Sequence, residues 1–297
     1  MMPIATELDH AGYIVRDLDT GASTWQKLGF KLSPISAQMG LNAAGEFEPW
    51  ATANRCAVFR QGYLELIGVH RPECFNPWLA RLEEYEGAHI AAFRVVSANA
   101  AFTQLSQHSE DFLAPVARRR DAPFLEAGEW DQREMRFRNI FSKDTCVAEA
   151  RYIVIEHQTP EILWQPALLD HPNGANGLVA LSFCATDVAE CLARLDLLGQ
   201  SRPQPPGAAA IRSCSQGGYV EVLNHTQFGQ RFPGAIAPIK NALGSATVSV
   251  NDLHTARQHL RENNVPFHDA VDRIWVDANH SCGTVIEFIP LGGASVA

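Results

Sequence analysis

Apolar and polar positions alternate and cluster along this chain in an order that recurs four times. The run Glu7-Leu-Asp-His-Ala-Gly-Tyr-Ile-Val15 reads as a strand, and it ends at Asp17-Leu18-Asp19. Thr20 to Leu28 follows with Trp25 and Leu28 three apart on one helical face, and Gly29 supplies a C-terminal stop. Two further strands are predicted at Arg55–Arg60 and Tyr63–Val69, split by the tight-turn pair Gln61-Gly62. A second strand is expected near Lys31–Ser36, which makes the unit β-α-β-β-β.

The order repeats. Gly87 to Val96 is a strand, Ser97 to Gln107 a helix with Ser97 at its N-cap, and Arg133–Phe141 and Ala150–His157 are strands. A third copy runs from the strand Gly177–Phe183 through a helix at Val188–Leu198 to a hairpin, Ala209–Cys214 and Tyr219–Leu223. The fourth is Gly244–Val250, a helix from Leu253 to Asn263, then Arg273–Asp277 and Thr284–Ile289. Copies therefore begin near positions 8, 87, 177 and 243. One such unit can hardly bury both faces of its own small sheet, so the copies are expected to pair. The expected class is α+β: four βαβββ modules in two domains with curved mixed sheets, residues 1–168 and 176–297. The connection falls near 169–176, where His171-Pro-Asn-Gly174 is loop chemistry.

Composition fits a globular chain: 297 residues, 46% hydrophobic and 19% charged. A formal charge of −9 argues against a nucleic-acid face. The basic run Arg118-Arg119-Arg120 reads as a solvated strand end or the lining of an anion site. Met1 to Glu7 lacks a basic start followed by an apolar run, and no stretch reaches membrane-spanning length. Seven cysteines, an odd number without a C-x-x-C pair, suit free thiols in a reducing cytoplasm. A monomer or homodimer acting on a small molecule, with neither nucleic acid nor membrane as partner, is the expectation.

Polar residues inside the strands carry the candidate chemistry. His10 and Glu65 lie in the first and last strands of copy one, His89 and Glu156 in those of copy two. Two imidazoles and two carboxylates suit one divalent ion, Fe, Mn, Ni, Zn or Co. Ionised carboxylates inside a sheet are costly unless paired or metal-bound. Copies three and four keep a last-strand acid, Glu221 and Glu287, but no first-strand histidine, so their site is expected to be degenerate. A one-residue slip in copy two would present His157 in place of Glu156. Asn54 and Arg55 read either as substrate-orienting groups or as part of a capping loop. Trp50, Phe124 and Trp164 suit a pocket wall or the core. His157 and His171 read as surface residues or as spare bases, and the late group His254, His259, His268 and His280 as surface.

Leu8-Asp-His-Ala-Gly-Tyr-Ile-Val15, Thr52-Ala-Asn-Arg55 with Gly62-Tyr-Leu-Glu-Leu-Ile67, and Glu156 to Trp164 with His171 to Gly174 together resemble the glyoxalase-like domain family of the vicinal-oxygen-chelate superfamily. The resemblance is good over residues 7–175 and topological beyond. It implies one divalent metal held by His10, Glu65, His89 and Glu156. It also implies Glu156 and then Glu65 as proton-shuttling carboxylates, and a lyase or isomerase acting on vicinal oxygens. Asn54, Arg55, His157 and Trp164 are the matching substrate-binding candidates. An Fe(II) extradiol dioxygenase and a non-catalytic ligand-sequestering protein are the alternatives that the same resemblance allows.

Overall fold

A computed structural model describes residues 4–143, 149–204, 208–235 and 241–292. The four-fold repeat is present as two eight-stranded mixed sheets. The first contains β1 (Glu7–Val15), β2 (Ser36–Leu41), β3 (Phe47–Val58), β4 (Tyr63–Val69), β5 (Gly87–Arg94), β6 (Val116–Glu126), β7 (Glu129–Phe141) and β8 (Arg151–His157). Their order across the sheet is β2-β3-β4-β1-β5-β8-β7-β6. The second contains β9 (Ala175–Cys184), β10 (Gln200–Arg202), β11 (Ala210–Ser213), β12 (Tyr219–Leu223), β13 (Ala242–Val250), β14 (His268–Asp269), β15 (Ile274–Val276) and β16 (Val285–Pro290), in the same relative order. Each sheet is thus two β-strand quartets joined back to back through an antiparallel central pair, β1 with β5 and β9 with β13.

Helices α1 (Leu18–Lys27), α3 (Ala98–Leu105), α4 (Val188–Leu195) and α6 (Leu253–Glu262) follow the first strand of each module. Each has a side-chain N-cap: Asp17, Ser97, Asp187 and Asp252 accept backbone N–H bonds from the first turn. Their apolar stripes and one face of both sheets share a single core, in which Trp25, Phe93, Phe183 and Phe288 are all buried. Main-chain bridges from Glu7 to Gly217 and from Gln61 to Gly177 tie the two sheets together.

Several elements differ from the sequence reading. The second strand is Ser36–Leu41, later than expected, and the third begins at Phe47. The Arg118–Arg120 run lies inside β6, an eleven-residue strand whose exposed polar residues hide its periodicity. Two short helices were also hidden: α2 (Leu79–Glu84) and α5 (His225–Arg231). His171 is buried rather than on the surface: its Nδ1 accepts the Lys31 N–H at 2.9 Å and its Nε2 lies 2.9 Å from the Val58 carbonyl oxygen. Of the cysteines, Cys146 lies outside the described residues, and the other six are free.

The first sheet curls until its two edges meet. Ser36 of β2 donates to the Asp121 carbonyl of β6, and Arg120 of β6 donates back to the Ser36 hydroxyl at 2.8 Å. The concave side is thereby enclosed. In the second sheet, α5 occupies the equivalent side, with Phe228 and Phe232 buried against Trp275 and Val285.

Candidate functional site

Strand register decides which side chains enter the concave side of the first sheet. Along β4 and β8, Leu64, Leu66, Tyr152 and Val154 join the helical core, so Tyr63, Glu65, Ile67, Ile153, Ile155 and His157 face the concavity. On β1 the alternation is broken at Asp9. Leu8 pairs with Phe93 and His10 with Ala92, which leaves Asp9 as the extra residue of a β-bulge. The bulge puts Asp9 and His10 side by side. Asp9 Oδ1 lies 2.7 Å from His10 Nδ1, and Asp9 Oδ2 lies 3.0 Å from His157 Nε2 and accepts from Arg94 Nε at 2.8 Å.

Burial alone would push the Asp9 carboxyl up. Charge on His157 and hydrogen bonds from His10 and His157 outweigh it, holding Asp9 well below the usual carboxylate range. His10 stacks on Tyr63 with ring centres 4.4 Å apart, and its Nε2 is 3.8 Å from Glu65 Oε2. Glu65 Oε1 accepts a hydrogen bond from Asn54 Nδ2, and Asn54 Oδ1 accepts from Arg120 Nη1 at 2.8 Å. Asp9–His10–Glu65–Asn54–Arg120 is therefore one continuous polar line across β1, β4, β3 and β6. At its Asp9 end, Trp164 packs edge-on against Tyr63 and His157, with Arg94 4.3 Å above its ring. A cavity of about 270 Å³ opens there, lined by Thr6, Glu7, Arg94, His157, Pro160 and Gln216.

The same register corrects the assignment in the second module. Glu156 shares its face with Tyr152 and Val154, so it turns to the helices, where Oε2 accepts the Ala98 N–H at 2.8 Å and caps α3. His157 is the neighbour that faces inward. His89 is the bulged residue of β5, skipped between Ala88 and Ile90. It stacks on Tyr85 and its Nε2 lies 3.0 Å from the Tyr85 carbonyl oxygen; burial pushes its pKa down to about 4. Arg55 pairs with Leu66 and so points toward the core, where its Nε donates to the Ser33 carbonyl. Asn54, His157 and Trp164 border the concave side; Arg55 does not. Asp9, Tyr63 and Arg94 join the site although sequence reading passed over them, and Arg120 joins it from the basic run read as a strand end or an anion lining. The visible signal was an acid and a histidine adjacent in an otherwise apolar strand.

Pairing β1 with β4, and β5 with β8, fixes the equivalent positions. His10 lies opposite Tyr63 in the first module and Ile90 opposite Arg151 in the second, so His10 corresponds to Ile90 and Glu65 to Ile153. The second sheet gives Ala180 and Ser245 in place of His10, and Glu221 and Glu287 in place of Glu65. The acid recurs in three modules and the histidine in one. A divalent ion needing ligands from both modules would meet two isoleucines in the second. Among the described residues no group of three His, Cys, Asp or Glu side chains is arranged to hold a metal. The residues present do not fit the four-ligand centre that the resemblance implied.

In the second sheet the two glutamates are already paired. Arg231 of α5 donates from Nη1 and Nη2 to the two oxygens of Glu287 at 2.7 Å each, with its Nε 3.6 Å from Glu221. Ser182 donates to Glu221, Thr247 donates to Glu287 at 2.8 Å and Arg273 donates to Glu287 at 3.0 Å.

Paired β-α-β-β-β modules with one polar concave face and one plugged face define a glyoxalase-type protein of the vicinal-oxygen-chelate superfamily. The chain belongs to the glyoxalase-like domain family, whose model matches residues 8–199. No curated protein matches it in sequence. Among solved structures it is similar to a hypothetical protein from Staphylococcus aureus, at 9% identity and TM-score 0.62, over 96% of this chain and 99% of that one. It is also similar to a mutant of 4-hydroxymandelate synthase from Streptomyces coelicolor, at 14% identity and TM-score 0.58, over 100% of this chain and 95% of that one. A fusion of a xylose isomerase-like TIM barrel with a 4-hydroxyphenylpyruvate dioxygenase matches at 11% identity and TM-score 0.57, over 100% of this chain and 50% of that one. At these identities the likeness is one of fold. No helix among the described residues is long and apolar enough to cross a membrane.

Proposed function

We propose that this chain is an acid–base enzyme of isomerase or lyase type, acting on a small carbonyl-bearing molecule on the concave side of the first sheet. The observation that carries this reading is the position of His10 between two carboxylates, 2.7 Å from Asp9 and 3.8 Å from Glu65. An ionised Asp9 can only accept, so the proton of that contact sits on His10 Nδ1, and Nε2 faces the Glu65 side. The 3.8 Å separation exceeds a hydrogen bond, so Nε2 and Glu65 Oε2 face one another without being committed to each other. A carbon acid placed there gives its proton to one and recovers it from the other, the economy of general acid–base catalysis. Asn54 fixes the Glu65 carboxylate by occupying Oε1.

Proton exchange tests this without knowledge of the final product. A panel of small aldehydes, ketones and 2-oxo acids is incubated with the protein in heavy water, and loss of the proton next to the carbonyl is followed by NMR. Exchange catalysed by the native chain and slowed at least about 100-fold in His10→Gln is the expected result. Exchange at an unchanged rate in both His10→Gln and Glu65→Gln overturns the reading. Saturable binding with no exchange in any case favours the ligand-sequestering alternative.

A further inference from the structure

The concave side has a second half, away from His10, whose composition is unlike the first. Arg118 pairs with Phe137 and Arg120 with Met135 across β6 and β7, so both arginines face inward with those apolar side chains. Asn139 and Phe141 continue the same face of β7. Its floor is apolar: Ile67, Ile90, Ala92, Ile153 and Ile155, flanked by Trp78 and Phe141. Arg118 and Arg151 both lie over the Phe141 ring, at 5.9 and 5.2 Å from its centre. Like charges converge here in a chain of net charge −9, and Arg120 stands beside them with only Nη1 committed, to Ser36 and Asn54. Arg118 is exposed and Arg120 half-buried, so the rim of this half reaches solvent while the isoleucine floor beneath it is buried. Among the described residues, Asn139 is 6% exposed and its Oδ1 has no hydrogen-bond partner.

An apolar floor with guanidinium groups at its rim and one unmet acceptor beside it matches a particular ligand chemistry. We infer that the first sheet binds an amphipathic oxyanion: a ring or branched apolar body on the isoleucine floor, its anionic head on Arg120 and Arg118, and a hydroxyl or N–H donating to Asn139. Charge-assisted bonds from guanidinium to an oxyanion are the strong interactions of such a site, and they orient the body toward the isoleucines. The inference rests on the concave side being the ligand site, as proposed above, and it names the class of ligand.

Binding is tested with phenylacetate, its neutral twin phenylacetamide, 4-hydroxyphenylacetate and phenyl phosphate. The readout is the methyl NMR signals of Ile67, Ile90, Ile153 and Ile155. Phenylacetate is expected to shift these signals saturably and at least about tenfold more tightly than phenylacetamide. Arg120→Gln and Arg118→Gln should each weaken the anions and leave the amide unchanged, and Arg118→Gln, being exposed, separates charge from folding. The extra hydroxyl of 4-hydroxyphenylacetate should tighten binding in the native chain and not in Asn139→Leu. Tighter binding of phenyl phosphate upholds the inference and makes the head group a phosphate. Equal affinity for acid and amide overturns the oxyanion assignment while leaving the His10 reading intact. No shift of any isoleucine methyl by any of the four probes overturns the site itself.

Discussion

His10 and Ile90 stand at the same place in their modules, one residue beyond the bulge in β1 and in β5. Asp9 and His89 are likewise equivalent, each the residue that the antiparallel ladder skips. The repeat therefore pairs a buried acid with a buried imidazole, not two histidines. The pattern His, Glu, His, Glu does not mark equivalent positions: His89 is one residue from the counterpart of His10, and Glu156 three from that of Glu65.

This equivalence predicts a gain of metal binding. The double substitution Ile90→His with Ile153→Glu completes a four-ligand set with His10 and Glu65. Without metal the variant should melt lower than the native chain, because an unpaired carboxylate then lies in the isoleucine floor. Zinc should restore stability, by about 2.7 kcal/mol at a hundredfold excess over its dissociation constant, and cobalt(II) should develop visible absorption. The native chain should show neither response. Tight stoichiometric zinc binding by the native chain would argue against the register described here.

Glu156 is expected to matter for stability rather than chemistry. Its carboxylate accepts the Ala98 N–H at the start of α3. Glu156→Ala should cost about 1 kcal/mol in urea unfolding, the usual effect of losing a helix cap. Carbonyl-proton exchange should persist in this variant at the native rate.

Much of the fold was legible because its signals are local. The cap Ser97, the helix stop Gly29 and the turn Gln61-Gly62 all act within a few residues of themselves, whereas the Asp17 cap was read as the end of a strand. Side-chain direction in β1 and β5 was not, because a bulge is invisible in apolar periodicity and one skipped residue reverses every later assignment. Tyr152-Ile-Val-Ile-Glu-His157 is apolar on both faces, so nothing in it marks which side is concave. Arg120 was visible as part of a basic run, but a strand whose neighbours are nearly all polar does not mark which of those arginines faces inward. The acid–base line is long-range: it joins four strands from three parts of the chain.

His89 gives the molecule a pH dependence of known sign. Burial lowers its pKa from the ordinary 6.5 to about 4. The folded form thus binds this proton less readily than the unfolded chain. Stability from the neutral ring is complete above about pH 6.5 and declines as pH falls toward 4, by on the order of 3 kcal/mol in all. His89→Gln keeps an N–H for the Tyr85 carbonyl but has no proton to gain. Urea midpoints measured from pH 7 to pH 4.5 should fall more steeply for the native chain than for this variant.

The second sheet carries its own prediction. Arg231→Met removes the guanidinium that pairs with Glu287 and lies beside Glu221. Two buried acids are then left with only hydroxyl groups and Arg273 as partners. A loss of about 3–5 kcal/mol is expected. Adding Glu287→Gln should recover part of it, measurable as a higher melting temperature in the double variant than in the single one.

The shared interior described above has a consequence for evolution and engineering. Trp25 and Phe93 from the first half lie in one apolar mass with Phe183 and Phe288 from the second, and the ring of Phe30 is 5.8 Å from that of Phe288. Cutting the chain near residue 170 would leave each fragment with a broad greasy wall facing water. The two halves should consequently melt together in one step, because each lines the interior that the other cannot stand without.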